Sequence, residues 1–93
     1  MAKQVHAAHI LVKNEKKAKE VLDKISKGES FAEMARKYSD CPSRKNKGDL
    51  GWFGKGKMVP EFEKAAFEGD KGKVVGPVKT EFGYHLIKIL GKK

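Results

Sequence analysis

Residues 5–12, VHAAHILV, are apolar on both alternating faces. A strand of that kind needs cover on each side, so it predicts a central sheet strand sandwiched between packed layers. The chain has 93 residues, enough for one core, and the expectation is a single domain over residues 1–93. The cover must therefore come from the few elements that follow.

Asn14 can cap a helix carrying Ala18, Val21, Leu22 and Ile25. That spacing makes one apolar stripe, and Gly28 ends the helix. Ser30 and Glu33 read as a capping box for a second helix, which buries Phe31, Met34, Ala35 and Tyr38. Asp40-Cys41-Pro42 stops it, because a residue before proline avoids the helical region. Residues 42–49 read as a polar, basic loop, and Leu50 to Phe53 as a short strand among glycines. Pro60 suits the first turn of a third helix that buries Phe62, Ala65 and Ala66 and ends near Gly69. Residues 74–79 fit an edge strand, where Pro77 is tolerable, and residues 82–90 the last strand. The order β-α-α-β-α-β-β predicts an α+β domain with helices packed on an antiparallel sheet.

Hydrophobic residues are 39% and charged residues 35% of the chain, and the regular apolar spacing argues against disorder. No apolar run approaches the roughly 18 residues that cross a bilayer, and no signal-peptide pattern opens the chain. A single cysteine, Cys41, excludes an internal disulfide framework. The cytoplasm is the expected location. Lys+Arg is 21 and Asp+Glu is 12, giving a net charge of +9. Such a surplus draws polyanions, so nucleic acid, an anionic membrane surface or acidic clients are conceivable partners. The lysines are scattered, and a solvated surface is the plainer reading.

His9 shares a strand face with Ala7 and Leu11, and His85 shares one with Ile87 and Ile89. If the first and last strands pair, the two rings are neighbours and can hydrogen-bond to each other, which fixes their tautomers. Taken singly, each is more simply a satisfied core histidine. His6 falls on the other face, with no role assigned. Cys41 is either a small packing group or a weakly polar thiol at the lip of a pocket. His9, His85 and Cys41 lack the local spacing of zinc ligands, so no metal is expected. Met58 and Phe62 are four apart and share a face if the helix begins near Met58. The stretch GWFGKGK lacks the aromatic spacing of an RNA-recognition strand. No phosphate-binding loop or nucleophile elbow is present, and no cofactor is called for.

The segments AAHILVK (7–13), YSDCPS (38–43), GDLGWF (48–53), GKMVPEFEKAAF (56–67) and GPVKTEFGYHLIKIL (76–90) closely resemble the parvulin family of peptidyl-prolyl cis/trans isomerases. The resemblance covers nearly the whole chain and implies a four-stranded antiparallel sheet surrounded by helices. It implies that His9 and His85 are the family's paired histidines and that Cys41 takes a position held by cysteine or aspartate. Thr80 would hydrogen-bond the histidine pair. Leu50, Met58 and Phe62 would line the proline pocket, with Phe82 at its border. Phosphate-directed members carry an arginine-bearing loop after the first strand, whereas here Lys13 is followed almost at once by a helix with Lys16 and Lys17. The resemblance therefore implies a small stand-alone, monomeric parvulin without phosphate dependence. Its substrates would be proline-containing peptides and folding proteins, with a broad preference that takes in a bulky apolar residue before proline. Two rival readings are a basic polyanion-binding module and a client binder without turnover.

Overall fold

The structure is a computed structural model that describes residues 3–93. Met1 and Ala2, part of the single-domain expectation, lie outside the described residues. In chain order the elements are β1 (Gln4–Val12), α1 (Glu15–Ser26), α2 (Phe31–Tyr38), a short 3-10 helix (Pro42–Asn46), β2 (Asp49–Gly54), α3 (Pro60–Glu68), β3 (Val74–Thr80) and β4 (Gly83–Lys92). The four strands form one antiparallel sheet in the order β2-β1-β4-β3. The first and last strands pair at the centre, and the strand containing Pro77 lies at an edge, as their sequences predict.

The doubly apolar run of β1 is explained by what covers it. Ala8, Ile10 and Val12 pack with Leu86 under α1 and α2, against Ala18, Val21, Phe31, Met34 and Ala35. Val5 and Ala7 pack on the opposite face with Ile87 and Ile89, against Phe62 and Ala66 of α3. Helices thus cover both faces of the sheet. No helix among the described residues is long and apolar enough to cross a membrane.

The helix ends follow local chemistry. The Asn14 side chain accepts the Lys17 N–H at 2.7 Å. Gly28, at φ 110°, closes α1 with bonds from its own N–H to Ile25 O and from Glu29 N–H to Lys24 O. That pair of bonds defines a glycine-terminated C-cap. Ser30 accepts the Glu33 N–H, but Glu33 does not complete a capping box; its carboxylate pairs with Arg36 at 2.8 Å.

Residues 42–49 are more ordered than a loop. Pro42 opens the 3-10 helix, and Lys47, at φ 59°, closes it. The Gly48 N–H bonds back to Ser43 O at 2.9 Å. Gly48 then delivers its carbonyl to the His9 N–H at 2.9 Å. Its φ is 83°, and a Cβ there would collide with the His9 carbonyl oxygen. Asp40 N–H donates to Leu11 O at 2.7 Å, which ties the end of α2 to the end of β1.

Candidate active site

His9 stands opposite Ile87 and His85 opposite Leu11 in the β1–β4 register. The two histidines are therefore diagonal neighbours on the α3 face of the sheet. His9 Nδ1 lies 3.1 Å from His85 Nδ1, and the rings stack with centroids 5.2 Å apart. Phe62 meets both rings edge-on, at 5.5 Å and 5.3 Å.

A line of hydrogen bonds runs through the pair. The Phe82 N–H donates to Thr80 Oγ1 at 3.2 Å, and Thr80 Oγ1 lies 2.8 Å from His85 Nε2. Thr80 is buried, so its own hydrogen goes to His85 Nε2. His85 then carries its proton on Nδ1 and donates to His9 Nδ1. His9 in turn carries its proton on Nε2 and donates to Ser43 Oγ at 3.1 Å. Every donor meets one acceptor, which holds both imidazoles neutral and in opposite tautomers. Burial, reinforced by the neighbouring His85 ring, lowers the His9 pKa to about 4. Burial also lowers that of His85. Both rings are uncharged at neutral pH.

The histidines face an open hollow of about 520 Å³. Phe62 of α3 and Leu50 of β2 line it, together with Met58 and Val59 from the segment before α3. Leu11, Cys41 and Pro42 also border it, as does Phe82 from the β3–β4 turn. Phe82 is 55% exposed, unusual for so large an apolar ring. Asp40 and Lys57 are its charged lining residues. Long-range pairing of β1, β2 and β4 brings these groups together from five separate stretches of chain.

Seven of the eight predicted site residues line this hollow: His9, Cys41, Leu50, Met58, Phe62, Phe82 and His85. Thr80 does not; it stands behind His85 and reaches the hollow only through that ring. Met58 and Phe62 meet there without sharing a helix face, because Pro60 starts α3 and Val59 is its N-cap. A residue before proline avoids helical dihedrals, which holds Met58 and Val59 outside the helix. Both Asp40 and Cys41 reach the hollow.

Two serines escaped sequence reasoning. Ser43 closes the histidine line. Ser39 is 1% exposed, and its Oγ accepts the Leu11 N–H at 3.1 Å and the Cys41 N–H at 3.3 Å. No spacing pattern marks either, since the β1 partners of both, Leu11 for Ser39 and His9 for Ser43, lie across a chain reversal. His6 lies outside the hollow and bonds to Asp49 Oδ1 at 2.7 Å.

The family model described as Rotamase: PPIC-type PPIASE domain matches residues 6–91. The foldase protein PrsA of Geobacillus kaustophilus is 56% identical over 91 residues, which are 97% of this chain and 32% of that protein. The chain thus spans about a third of the length of such curated relatives. The crystal structure of PrsA from Bacillus anthracis superposes with a TM-score of 0.95 at 45% identity, covering 99% of this chain and 43% of that one. The solution structure of NmPin, the parvuline of Nitrosopumilus maritimus, gives a TM-score of 0.87 at 42% identity and covers 98% of this chain and 99% of that one. With its α+β topology, its paired histidines and a family match over 6–91, the chain belongs to the PPIC-type peptidyl-prolyl cis/trans isomerases, the parvulins.

Proposed function

We propose that this domain catalyses rotation about Xaa-Pro bonds without a covalent intermediate and so assists protein folding. The observation that carries the reading is an apolar hollow walled at one end by two neutral histidines. Rotation faces a barrier of about 18–20 kcal/mol and takes tens to hundreds of seconds unaided. The planar amide is polar because resonance places negative charge on oxygen. Twisting removes that resonance and reduces the charge separation. An apolar wall of Leu50, Met58 and Phe62 therefore favours the twisted amide over the planar one and grips the pyrrolidine ring. That is differential stabilisation of the transition state.

In this reading His9 and His85 do not transfer protons. Their bonds to Thr80 and Ser43 hold the polar wall in one geometry, and Thr80 is a positioning residue acting through His85. Cys41 borders the substrate carbonyl, and Phe82 covers the outer side of the substrate. Substrates are proline-containing peptides and folding chains, without a requirement for phosphate and with a bulky apolar residue favoured before proline. The domain works as a monomer in the cytoplasm, and its surplus charge adds a weak attraction to acidic surfaces.

Isomerisation of a neutral Xaa-Pro peptide, followed from 20 mM to 500 mM salt, tests the reading against a polyanion-binding module. Catalysis that barely responds to salt is expected. Absence of catalysis, with salt-sensitive binding to nucleic acid or anionic vesicles, supports the binding module instead. Light scattering and cell fractionation test the monomer and its location.

A further inference from the structure

Leu50 stands between the hollow beside the histidines and a neighbouring one. This second hollow, of about 630 Å³, is also bounded by Lys45, Asn46, Lys47 and Asp49. The last three of those residues line a third hollow as well, of about 230 Å³. Ala8, Phe31 and Leu90 give this third hollow an apolar base on the α1–α2 side of the sheet, with Lys88 beside them. Taken in turn, these neighbouring hollows, which share Leu50 and then Asn46, Lys47 and Asp49 as lining, trace a path over the surface. It starts at the histidine pair, crosses Leu50, passes the 3-10 helix and reaches the opposite face of the sheet.

Its charge is one-sided. Lys45, Lys47 and Lys88 line it, and Asp49 is the one acidic residue in its walls beyond Leu50. The Asp49 carboxylate is already engaged, accepting the Gly51 N–H at 2.8 Å and pairing with His6 at 2.7 Å. Those two partners outweigh its partial burial, which acts to raise the pKa, and hold the carboxyl below its ordinary range. Both bonds fall on Asp49 Oδ1, and among the described residues no ion pair joins Lys45, Lys47 or Lys88 to a carboxylate.

We propose that this path holds the segment flanking the proline of a client chain, in extended form and rich in carboxylates. The inference rests on the isomerase reading and names a substrate class for the same site. A peptide suits the path better than a nucleic acid does. Phosphates would find the lysines but leave the apolar base of Ala8, Phe31 and Leu90 uncovered. The molecule is 22 Å across its shortest axis, and an extended chain of that length holds about seven residues.

Peptides sharing a central Leu-Pro test this. Each carries a seven-residue flank, on one side or the other, of glutamate and alanine, glutamine and alanine, or lysine and alanine. Affinity is measured by NMR titration at 150 mM salt. For one of the two sides, the acidic flank should bind about tenfold tighter than the neutral one, as expected of two or three exposed pairs. The lysine flank should bind no tighter than the neutral one. The double variant Lys45→Glu, Lys47→Glu should erase the gain while turnover of a four-residue Leu-Pro peptide stays unchanged. Equal affinities on both sides, or a gain that survives the double variant, overturn the inference. So does an acidic peptide without proline, or a single-stranded oligonucleotide, that binds as tightly as the acidic Leu-Pro peptide. Lack of turnover of the short peptide by the unaltered domain sinks the isomerase reading and this inference together. Turnover with flat affinities sinks the inference alone.

Discussion

His9 and His85 are joined Nδ1 to Nδ1 at 3.1 Å, across the pairing of the first strand with the last. A bond between two imidazoles needs one ring to donate and the other to accept. The direction is set at the far end of the line, where the oxygen of the buried Thr80 hydroxyl accepts the Phe82 N–H and its hydrogen finds an acceptor in His85 Nε2. The state of the pair is thus decided by a hydroxyl five residues from one of its rings.

Thr80 should therefore matter more than its distance from the hollow implies. Thr80→Val keeps the shape and removes the hydroxyl, leaving His85 Nε2 and the Phe82 N–H without their partner. A loss of about 1–3 kcal/mol in stability is expected, with a fall in isomerisation rate. Thr80→Ser should restore both. Urea unfolding and a peptide isomerisation assay read the two effects. A valine variant as stable and active as the parent contradicts the hydrogen-bond line.

Phe62 is 2% exposed, lies edge-on to both histidines and packs beside Phe53 at 6.1 Å. Phe62→Ala should cost about 3–5 kcal/mol of stability. Phe62→Leu should fold more securely, yet raise KM for a proline peptide by widening the hollow. Unchanged kinetics in the leucine variant argue against Phe62 as a wall of the proline site.

The lowered His9 pKa links stability to pH. In the unfolded chain His9 takes up a proton near its ordinary value of 6.5, while in the fold it does so only near 4. Between those values the unfolded state holds more protons, so stability falls as pH falls, and the effect levels off below about 4. The gap corresponds to at most about 3.5 kcal/mol. Urea midpoints from pH 4 to 8 should show a shallower dependence in His9→Leu than in the parent. Parallel curves contradict a buried, neutral His9.

Gly48 is a backbone prediction. Its φ of 83° is strained for any residue with a Cβ, and that Cβ would strike the His9 carbonyl oxygen. Gly48→Ala should cost at least about 2 kcal/mol and disturb the His9 amide signal. Gly72, at φ 87° with open space around it, is the control, and Gly72→Ala should cost less. Equal losses at the two positions would show that steric contact with β1 adds nothing.

The parts of the site on β1 and β4 were legible because strand periodicity fixes facing. His9 shares a face with Ala7, and His85 with Ile87, whatever the loops do. Loop contributions were not legible in the same way. Ser39 and Ser43 acquire their β1 partners, Leu11 and His9, only when the segment after α2 folds back along β1, and a serine in a polar stretch carries no sign of that. Met58 looked helical by its spacing to Phe62, but Pro60 set the helix start by local sterics. Glu33 matched a capping box by position and took Arg36 instead, since both side chains are exposed on one helix face. The resemblance to parvulins gave Thr80 its contact with His85, and the structure adds that this contact lies behind the ring.

The central claim is turnover, and exchange spectroscopy measures it directly. A short Xaa-Pro peptide is observed by NMR alone and with about one-hundredth of its concentration of this domain. Exchange cross-peaks between the cis and trans signals are expected on a sub-second timescale, and they should weaken in the Phe62→Leu variant. Cis and trans signals that stay sharp and uncoupled, while the peptide demonstrably binds, contradict the account and leave a client-binding domain without catalysis.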